Sequence, residues 1–185
     1  MIFSCLICNE TSFEIICKTC QKTFLSPFLF KKDDVISFYH YDEIEWLIKY
    51  KYNKFGNKIF EILAKNSFKK FAKTCSFKDV YVIPIDDNTK KGFSHTAILA
   101  KHLKLAFIPQ YSSLLATNSV EYAGKSLEFR LNNPRKFIYK GKKNIKAILV
   151  DDVLTTGTTI NEAKEVLEKN GVEVLFSVVL ANLKV

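Results

Sequence analysis

The stretch Ala147-Ile-Leu-Val-Asp151-Asp152-Val-Leu-Thr155-Thr156-Gly157-Thr158-Thr159 joins an apolar run, two adjacent carboxylates and a loop rich in hydroxyl groups. The apolar run, Ile145 to Val150, is short and bounded by polar residues, so it predicts a strand buried in a parallel sheet. A helical pattern follows from Glu162 to Lys169 and is stopped by Asn170-Gly171. A strand, a turn and a helix in this order indicate one unit of an α/β fold.

The turn between the predicted strand and helix has the composition of an anion-binding loop. Thr155 to Thr159 can direct several backbone N–H groups and hydroxyls toward one anion, and Gly157 removes the side chain where a phosphate must approach closely. A phosphate held there would lie at a helix N-terminus, where the helix dipole favours negative charge. Asp151 and Asp152 fall at the carboxyl end of the strand, where open α/β sheets bind ligands. Ribose hydroxyls or Mg²⁺ would explain two adjacent carboxylates, whereas the alternative is an ordinary turn with an acidic N-cap region.

The same stretch resembles the signature of the type I phosphoribosyltransferases, which bind phosphoribosyl pyrophosphate (PRPP). The resemblance implies that Asp151 and Asp152 bind the ribose hydroxyls and Mg²⁺. It also implies that the 5′-phosphate is held by Thr155, Thr156, Gly157, Thr158 and Thr159.

A second candidate ligand loop follows the predicted strand Val80 to Ile85. Lys90, Lys91 and Gly92 can hold a pyrophosphate there, because the lysines offset its charge and the glycine lets the backbone turn toward it. The alternative is a solvated turn, for which Lys-Lys-Gly is an ordinary composition.

Two Cys-x-x-Cys pairs contain four of the five cysteines, namely Cys5, Cys8, Cys17 and Cys20. This spacing predicts a tetrahedral Zn²⁺ site, since each pair can close a tight turn around one metal. A site with four thiolates has no position for a substrate, so we expect the zinc to be structural. Because about thirty residues cannot build a core alone, the metal would supply folding free energy. The alternatives are a vestigial cluster and a pair of redox dithiols.

We expect two units, a zinc-binding module at residues 1–26 and an α/β domain at residues 27–185 that has a parallel sheet with helices on both faces. A capping box at Asp42-x-x-Glu45 predicts the start of one helix, and a second helix follows Gly56. The remaining predicted elements are strands at Asp34–Tyr41, Phe107–Pro109 and Val172–Ala181, helices at Thr96–Leu105 and near Leu127–Leu131, and a pattern-poor segment around that last helix at 111–143.

Taken in order, these motifs resemble the ComF family of bacterial competence proteins, which join a zinc finger to a phosphoribosyltransferase-like domain. The matching motifs are the four cysteines, Lys51-Tyr52, Lys90-Lys91-Gly92-Phe93-Ser94, Arg130-x-x-Asn133-x-x-x-Phe137 and the Asp151-Asp152 stretch. The family's basic loop usually carries arginines, and the lysines here keep the charge without the bidentate fork. The resemblance implies a role in natural transformation, with incoming single-stranded DNA and competence-machinery proteins as partners.

Charge and aromatic content also favour an anionic partner. The net charge is +9 and the pI is near 9.2. Aromatic residues alternate with lysines between Phe24 and Lys73, which suits single strands because bases stack on rings while lysines follow the phosphates. The candidate DNA contacts are Lys49, Lys51, Tyr52 and Lys54. The alternative is that the lysines serve solubility and the aromatics belong to the core.

Two functions follow from these patterns. The first is transfer of phosphoribose from PRPP to a base, in which holding the pyrophosphate leaving group supplies much of the catalysis. Purine-salvage enzymes place an aspartate at the start of the phosphate loop, where this chain has Thr155, which cannot act as a carboxylate base. The second is handling of nucleic acid with PRPP binding retained, which the ComF resemblance favours.

The sequence also carries an expectation about location. The N-terminal residues lack the pattern of a secretory signal, and no apolar run approaches the ~18 residues that a membrane span needs. We therefore expect a cytoplasmic protein.

Overall fold

A six-stranded sheet with helices on both faces forms the centre of the fold. The computed structural model describes residues 2–86, 92–118, 120 and 126–183. Its helices are α1 (Lys18–Phe24), α2 (Tyr41–Ile48), α3 (Gly56–Asn66), α4 (Phe68–Ala72), α5 (His95–Lys101), α6 (Leu127–Asn132) and α7 (Thr158–Lys169), with a 3-10 turn at Lys49–Tyr52. Its strands are β1 (Phe3–Ser4), β2 (Thr11–Ser12), β3 (Phe30–Lys32), β4 (Val35–His40), β5 (Val80–Pro84), β6 (Ile108–Pro109), β7 (Leu114–Ala116), β8 (Phe137–Tyr139), β9 (Ile145–Leu154) and β10 (Val172–Asn182). Over these ranges, no helix combines the length and apolar character that crossing a membrane requires.

The strands of the central sheet lie in the order β3-β4-β10-β9-β5-β6. Neighbouring strands are parallel except β3 and β4, which are antiparallel. Side chains of β9 alternate between the faces, since Ile148 and Val150 belong to the core with α2, α3 and α5 while Ala147 and Leu149 belong to the core with α7. All four are fully buried, as expected of a parallel sheet covered on both faces. The predicted fold class is confirmed, with one antiparallel strand added at an edge.

The cysteine-rich N-terminal residues pack on the helices of one face. Ile16 and Leu25 are buried in the same core as Phe60 of α3. The hydroxyl of Tyr39, in β4, donates to the carbonyl oxygen of Leu25 at 3.0 Å. The boundary at 26/27 stays a prediction, and the residues before it share a core with those after it.

Two predicted helix limits were wrong. Helix α2 begins at Tyr41, and its first turn is closed by the backbone N–H of His40, which donates to Glu43 at 3.0 Å. The capping box is therefore formed by His40 and Glu43 and not by the predicted Asp42 and Glu45. Glu45 instead pairs with Lys49, one turn further on, at 3.0 Å. Helix α5 ends at Lys101 rather than at residue 105.

The segment 111–143 contains a two-stranded sheet that the sequence pattern did not predict. Strands β7 and β8 pair antiparallel, with Leu114 opposite Tyr139. Phe137 and Tyr139 are buried against the face that carries α7. Each strand has three residues, which is too short for an alternating pattern to be recognised.

Candidate functional site

Asp151 and Asp152 lie at the edge of the sheet where β9 continues past β5. Pairing between these two strands ends at Pro84 and Val150, whereas β10 continues beside β9 to Leu154. The aspartates thus lie within the strand and not after it, because β10 still pairs with them on one side. They occupy the carboxyl edge at which open parallel sheets bind ligands.

Lys51 and His95 converge on Asp152. Nζ of Lys51 donates to Oδ2 of Asp152 at 3.0 Å, and Nε2 of His95 lies 3.4 Å from the same oxygen. The backbone N–H of Asp152 donates to Oδ1 of Asp151 at 2.8 Å. Lys51 belongs to the 3-10 turn and His95 opens α5, so three separate parts of the chain build this cluster.

These surroundings drive the pKa values of the two neighbouring carboxyls apart. Burial alone would raise the pKa of Asp152, but Lys51 and His95 outweigh burial and hold that pKa well below its usual range. Burial and the charge of Asp152 raise the pKa of Asp151. Burial would lower the pKa of Lys51, yet Asp152 raises it above its ordinary value. Asp152 is therefore the charged carboxylate near neutral pH, and Lys51 is its counter-ion.

The loop between β9 and α7 has the backbone shape predicted for an anion site. Gly157 is the N-cap of α7 and has a φ of 77°, in the left-handed region that glycine adopts most readily. The hydroxyl oxygens of Thr156 and Thr158 lie 2.8 Å apart. The first turn of α7 thus presents its N–H groups and the positive end of its dipole beside Thr155 to Thr159.

Arg130 adds a cation to this loop. It lies in α6, and its Nη1 donates to the hydroxyl oxygen of Thr155. A guanidinium beside a hydroxyl-rich turn suits a phosphate ligand because it offers several donors in one plane. Arg130 enters the sequence prediction only as part of a family motif. Its contact with Thr155 could not be predicted, because that contact depends on tertiary structure.

Of the predicted pyrophosphate loop Lys90-Lys91-Gly92, the structure describes only Gly92. Lys90 and Lys91 lie outside the described residues. Gly92 has a φ of 94°, and Ser94 caps α5 by accepting a hydrogen bond from Ala97 N–H at 3.0 Å. Because β5 and β9 are parallel, the segment that follows β5 leaves the sheet at the same edge as Asp151.

The four predicted zinc ligands form one cluster. The sulfurs of Cys5, Cys8, Cys17 and Cys20 all lie within 4.8 Å of one another, and those of Cys8 and Cys17 are 3.8 Å apart. Four sulfurs at about 2.3 Å from a tetrahedral Zn²⁺ would be separated by roughly 3.8 Å, so the cluster fits this metal.

Backbone N–H groups donate to two sulfurs of this cluster, those of Cys5 and Cys17. The N–H of Cys17 donates to the sulfur of Cys5 at 3.3 Å, and the N–H of Cys20 donates to the sulfur of Cys17 at 3.4 Å. Burial would raise the pKa of Cys5, but backbone N–H donors outweigh it and lower that pKa to about 6. The arrangement favours the thiolate at Cys5, whereas burial raises the pKa of Cys20.

The four candidate DNA contacts have different environments. Lys49 is exposed and pairs with Glu45 at 3.0 Å, whereas Lys51 is turned into the site. Tyr52 is 53% exposed, and Lys54 is exposed with its ammonium 6.0 Å from the ring centroid of Phe55. Nothing in the run Lys49-Tyr-Lys-Tyr52 separates the half-buried Lys51 from the exposed Lys49, so this distinction could not be predicted from the sequence.

A parallel sheet with paired carboxylates and a glycine-centred loop at its carboxyl edge defines a domain of the type I phosphoribosyltransferase class. Residues 52–184 match the phosphoribosyl transferase domain family over most of the chain. The chain therefore belongs to the phosphoribosyl transferase domain family.

Similar proteins carry the names of enzymes of this class. The adenine phosphoribosyltransferase of Campylobacter hominis is 27% identical over 115 residues, which cover 58% of this chain and 60% of that protein. The adenine phosphoribosyltransferase of Mycoplasmopsis synoviae is 33% identical over 111 residues, which cover 55% and 57%. The chain thus spans about three fifths of the length of the curated relatives that it matches. Among solved structures, adenine phosphoribosyltransferase from Thermoanaerobacter pseudethanolicus is 24% identical with a TM-score of 0.41, and 68% of each chain is covered.

Proposed function

We propose that this chain binds PRPP together with Mg²⁺ at the carboxyl edge of its sheet. The main support is the succession of two carboxylates in β9 and a left-handed glycine at the start of α7. Ribose hydroxyls would donate to Asp151 and Asp152, and the 5′-phosphate would accept from the N–H groups and hydroxyls of Thr155 to Thr159. Arg130, already bonded to Thr155, would face the same phosphate.

The pyrophosphate would lie against the cations of the site. Lys51 is 3.0 Å from a ribose-binding carboxylate, so its ammonium is within reach of an anion held on the same ligand. Lys90, Lys91 and Gly92 would complete this end, as the sequence predicts. Mg²⁺, when bound, would offset the charge of the pyrophosphate, and the oxygens of Asp151 and Asp152 are the hard ligands that it prefers.

Replacing either carboxyl by its amide is expected to weaken PRPP binding by about 10- to 100-fold, since a charge-assisted hydrogen bond is worth roughly 1.5–3 kcal/mol. Titration calorimetry of Asp151→Asn and Asp152→Asn with Mg²⁺ and PRPP would measure the change. Asp79→Asn is the matched control, because Asp79 is exposed at the opposite end of β5 and has a φ of 56° that asparagine tolerates. Equal affinities in all three variants would contradict the proposal.

We also propose that PRPP binding serves the handling of incoming single-stranded DNA in natural transformation, in the cytoplasm and with proteins of the competence machinery. Support comes from the order of motifs shared with the ComF family and from the four-cysteine cluster joined to a phosphoribosyl transferase domain. The net charge of +9 suits such a partner. A deletion strain would be tested for uptake of labelled DNA and for the later integration of that DNA, which shows at which step of transformation the protein acts. Unchanged transformation in this strain would contradict the proposed role.

The cluster of Cys5, Cys8, Cys17 and Cys20 is proposed to hold one structural Zn²⁺. Its sulfur separations match a tetrahedral site. All four ligand positions would be filled by protein, so the metal would stabilise the fold and take no part in the reaction.

Transfer of phosphoribose to a base is the second candidate function, because the matched relatives are named adenine phosphoribosyltransferases. Thr155 stands where purine-salvage enzymes carry an aspartate, and its hydroxyl oxygen accepts a hydrogen bond from Arg130. Thr155 cannot supply a carboxylate base. Release of pyrophosphate from PRPP in the presence of a panel of bases would test turnover, and base-dependent release would favour this function over binding alone.

A further inference from the structure

A cavity of about 210 Å³ lies between the N-terminal residues 3–15 and helix α3. Phe3, Phe13, Lys58 and Lys65 are among the residues that line it. Phe13 is 84% exposed, and Phe55 packs edge-on to Phe3 with ring centroids 6.2 Å apart. We call this cavity, together with Phe55, the phenylalanine groove. A ring as exposed as that of Phe13 leaves an apolar surface available to a partner.

Lysine side chains accompany the rings of this groove. The ammonium of Lys58 lies 4.4 Å from the ring centroid of Phe3, and that of Lys54 lies 6.0 Å from the ring centroid of Phe55. Lys65 lines the cavity from the next turns of α3. Rings and cations thus alternate on one surface, which is the composition that single nucleic-acid strands require.

The two glutamates that line the cavity each pair with a lysine at its rim. Glu14 pairs with Lys18 at 2.9 Å, and Glu61 pairs with Lys101 at 2.6 Å. Lysines outnumber glutamates by five to two among the described residues of the groove and its rim, so this surface offers a phosphate backbone more positive than negative side chains.

A tight turn connects the groove to the candidate PRPP site. Lys51 binds Asp152 at one end of this turn, and Phe55 lies at the other. A Cβ added at Gly56 would lie 2.2 Å from the carbonyl oxygen of Tyr50, so the turn depends on glycine. Tyr52, which is 53% exposed, lies between the two ends.

We infer that the phenylalanine groove binds a single strand of nucleic acid, with bases against Phe3, Phe13 and Phe55 and phosphates on Lys54, Lys58 and Lys65. The inference rests on the proposed single-strand handling and names the surface that performs it. The strand would leave the groove past Tyr52 toward the ribose carboxylates. This surface includes Lys54 and Tyr52 from the sequence prediction, but it replaces Lys49 and Lys51 with lysines of α3.

A second aromatic patch has the wrong charge for this partner. Phe24 and Trp46 line a cavity of about 370 Å³, and Phe28 is 75% exposed nearby in the chain. Glu43 also lines that cavity and would repel phosphates. Charge therefore selects the phenylalanine groove, and the second patch supplies control residues.

Stacking is tested by fluorescence anisotropy with a labelled single-stranded deoxyoligonucleotide. Phe13→Ala and Phe55→Ala are each expected to weaken binding by about 5- to 100-fold. Phe28→Ala, which removes another highly exposed ring outside the groove, is expected to leave affinity within about twofold. Because Phe13 and Phe28 are both solvent-exposed, neither change removes core packing, and retained PRPP affinity confirms that each variant is folded.

Charge is tested by the salt dependence of the same binding. The pair Lys54→Ala and Lys65→Ala is expected to reduce the slope of log K against log [salt] by about 0.7 for each phosphate that no longer meets a lysine. The pair Lys104→Ala and Lys140→Ala removes two exposed lysines elsewhere and is the control.

Three outcomes decide the inference. Weaker binding in the groove variants alone, with crosslinks from a bromouracil oligonucleotide on peptides that contain Phe3, Phe13 or Phe55, supports it. The groove would be refuted as the binding surface by wild-type affinity in Phe13→Ala and Phe55→Ala, by crosslinks near Phe28, or by a dimer that Phe13→Ala dissociates. None of these results would contradict the proposed handling of single strands elsewhere on the protein. No binding of single strands by the unaltered chain would overturn the proposed handling function and the groove with it.

Discussion

Cys17→Ser is expected to abolish the proposed binding of zinc and to destabilise the chain more than the removal of any surface ion pair. Structural zinc sites contribute roughly 10–16 kcal/mol of apparent binding free energy, and that energy is folding energy wherever the site forms only in the folded chain. The destabilisation would extend beyond the cysteine cluster, because Ile16 and Leu25 share a core with Phe60 of α3. We therefore expect a lower unfolding midpoint for the entire core on this face of the sheet, and treatment with a strong chelator should reproduce it.

Cys75→Ser is the matched control for this experiment. Cys75 lies outside the cluster, and its thiol donates to the carbonyl oxygen of Phe71 at 3.3 Å, a bond that serine can keep. Elemental analysis would give the zinc content of each variant. Fluorescence of Trp46 would follow unfolding, since it is the one tryptophan of the chain and lines a cavity with Leu25. A full zinc complement and an unchanged midpoint in Cys17→Ser would refute the structural metal.

Lys51→Met is expected to destabilise the chain by about 3–5 kcal/mol, because it leaves the buried carboxylate of Asp152 without its main counter-ion. Lys49→Met is the neighbouring control, since Lys49 pairs with Glu45 at the surface and such pairs contribute about 1 kcal/mol or less. Denaturant unfolding at pH 7 would separate the two. A double variant, Lys51→Met with Asp152→Asn, is expected to recover much of the stability, because it removes the isolated charge, but not the PRPP affinity.

The pH dependence of the unfolding free energy gives a second measure of the ion pair between Lys51 and Asp152. The pKa of Asp152 is lower in the folded chain than in the unfolded chain, so its contribution is fully present above the ordinary carboxyl pKa of about 4. The contribution is lost as the pH falls through the lower pKa of the folded chain. Lys51→Met is expected to reduce this acid-dependent loss. If the unfolding free energy of Lys51→Met and that of the unaltered chain depended on acid pH in the same way, the ion pair would contribute nothing to stability.

The strand–loop–helix unit from Ile145 to Lys169 could be predicted from sequence because its information is local. A buried apolar run, two carboxylates and a glycine at a helix start each have their own pattern. The roles of Lys51 and His95 could not be predicted in this way. They reach Asp152 only after the 3-10 turn, α5 and β9 have packed together, and neither stands in a motif that marks it as a partner of a carboxylate.

The same limit explains the other differences. Glu43 rather than Glu45 closes the first turn of α2, because β4 fixes where the chain leaves the sheet at His40. Burial of Phe38 and Tyr39 and exposure of Tyr52 depend on which face of the fold each residue meets. Composition showed that lysines and rings alternate, but only the packing of Phe3 beside Phe55 brings distant residues into one surface.

The position of β10 between β4 and β9 has a consequence for the order in which the protein can assemble during synthesis. Val35 in β4 pairs with Ser177 in β10, so β4 has no parallel neighbour until nearly all of the described chain has left the ribosome. Until then the N-terminal half of the chain, from the cysteine cluster to α3, carries an exposed edge of β4 where β10 will pair, and such exposed edges invite aggregation. Early capture of zinc would protect this nascent half while the ribosome completes β9 and β10. Cells starved of zinc are therefore expected to accumulate this protein in aggregates, even though its ligand site lies on a different part of the chain.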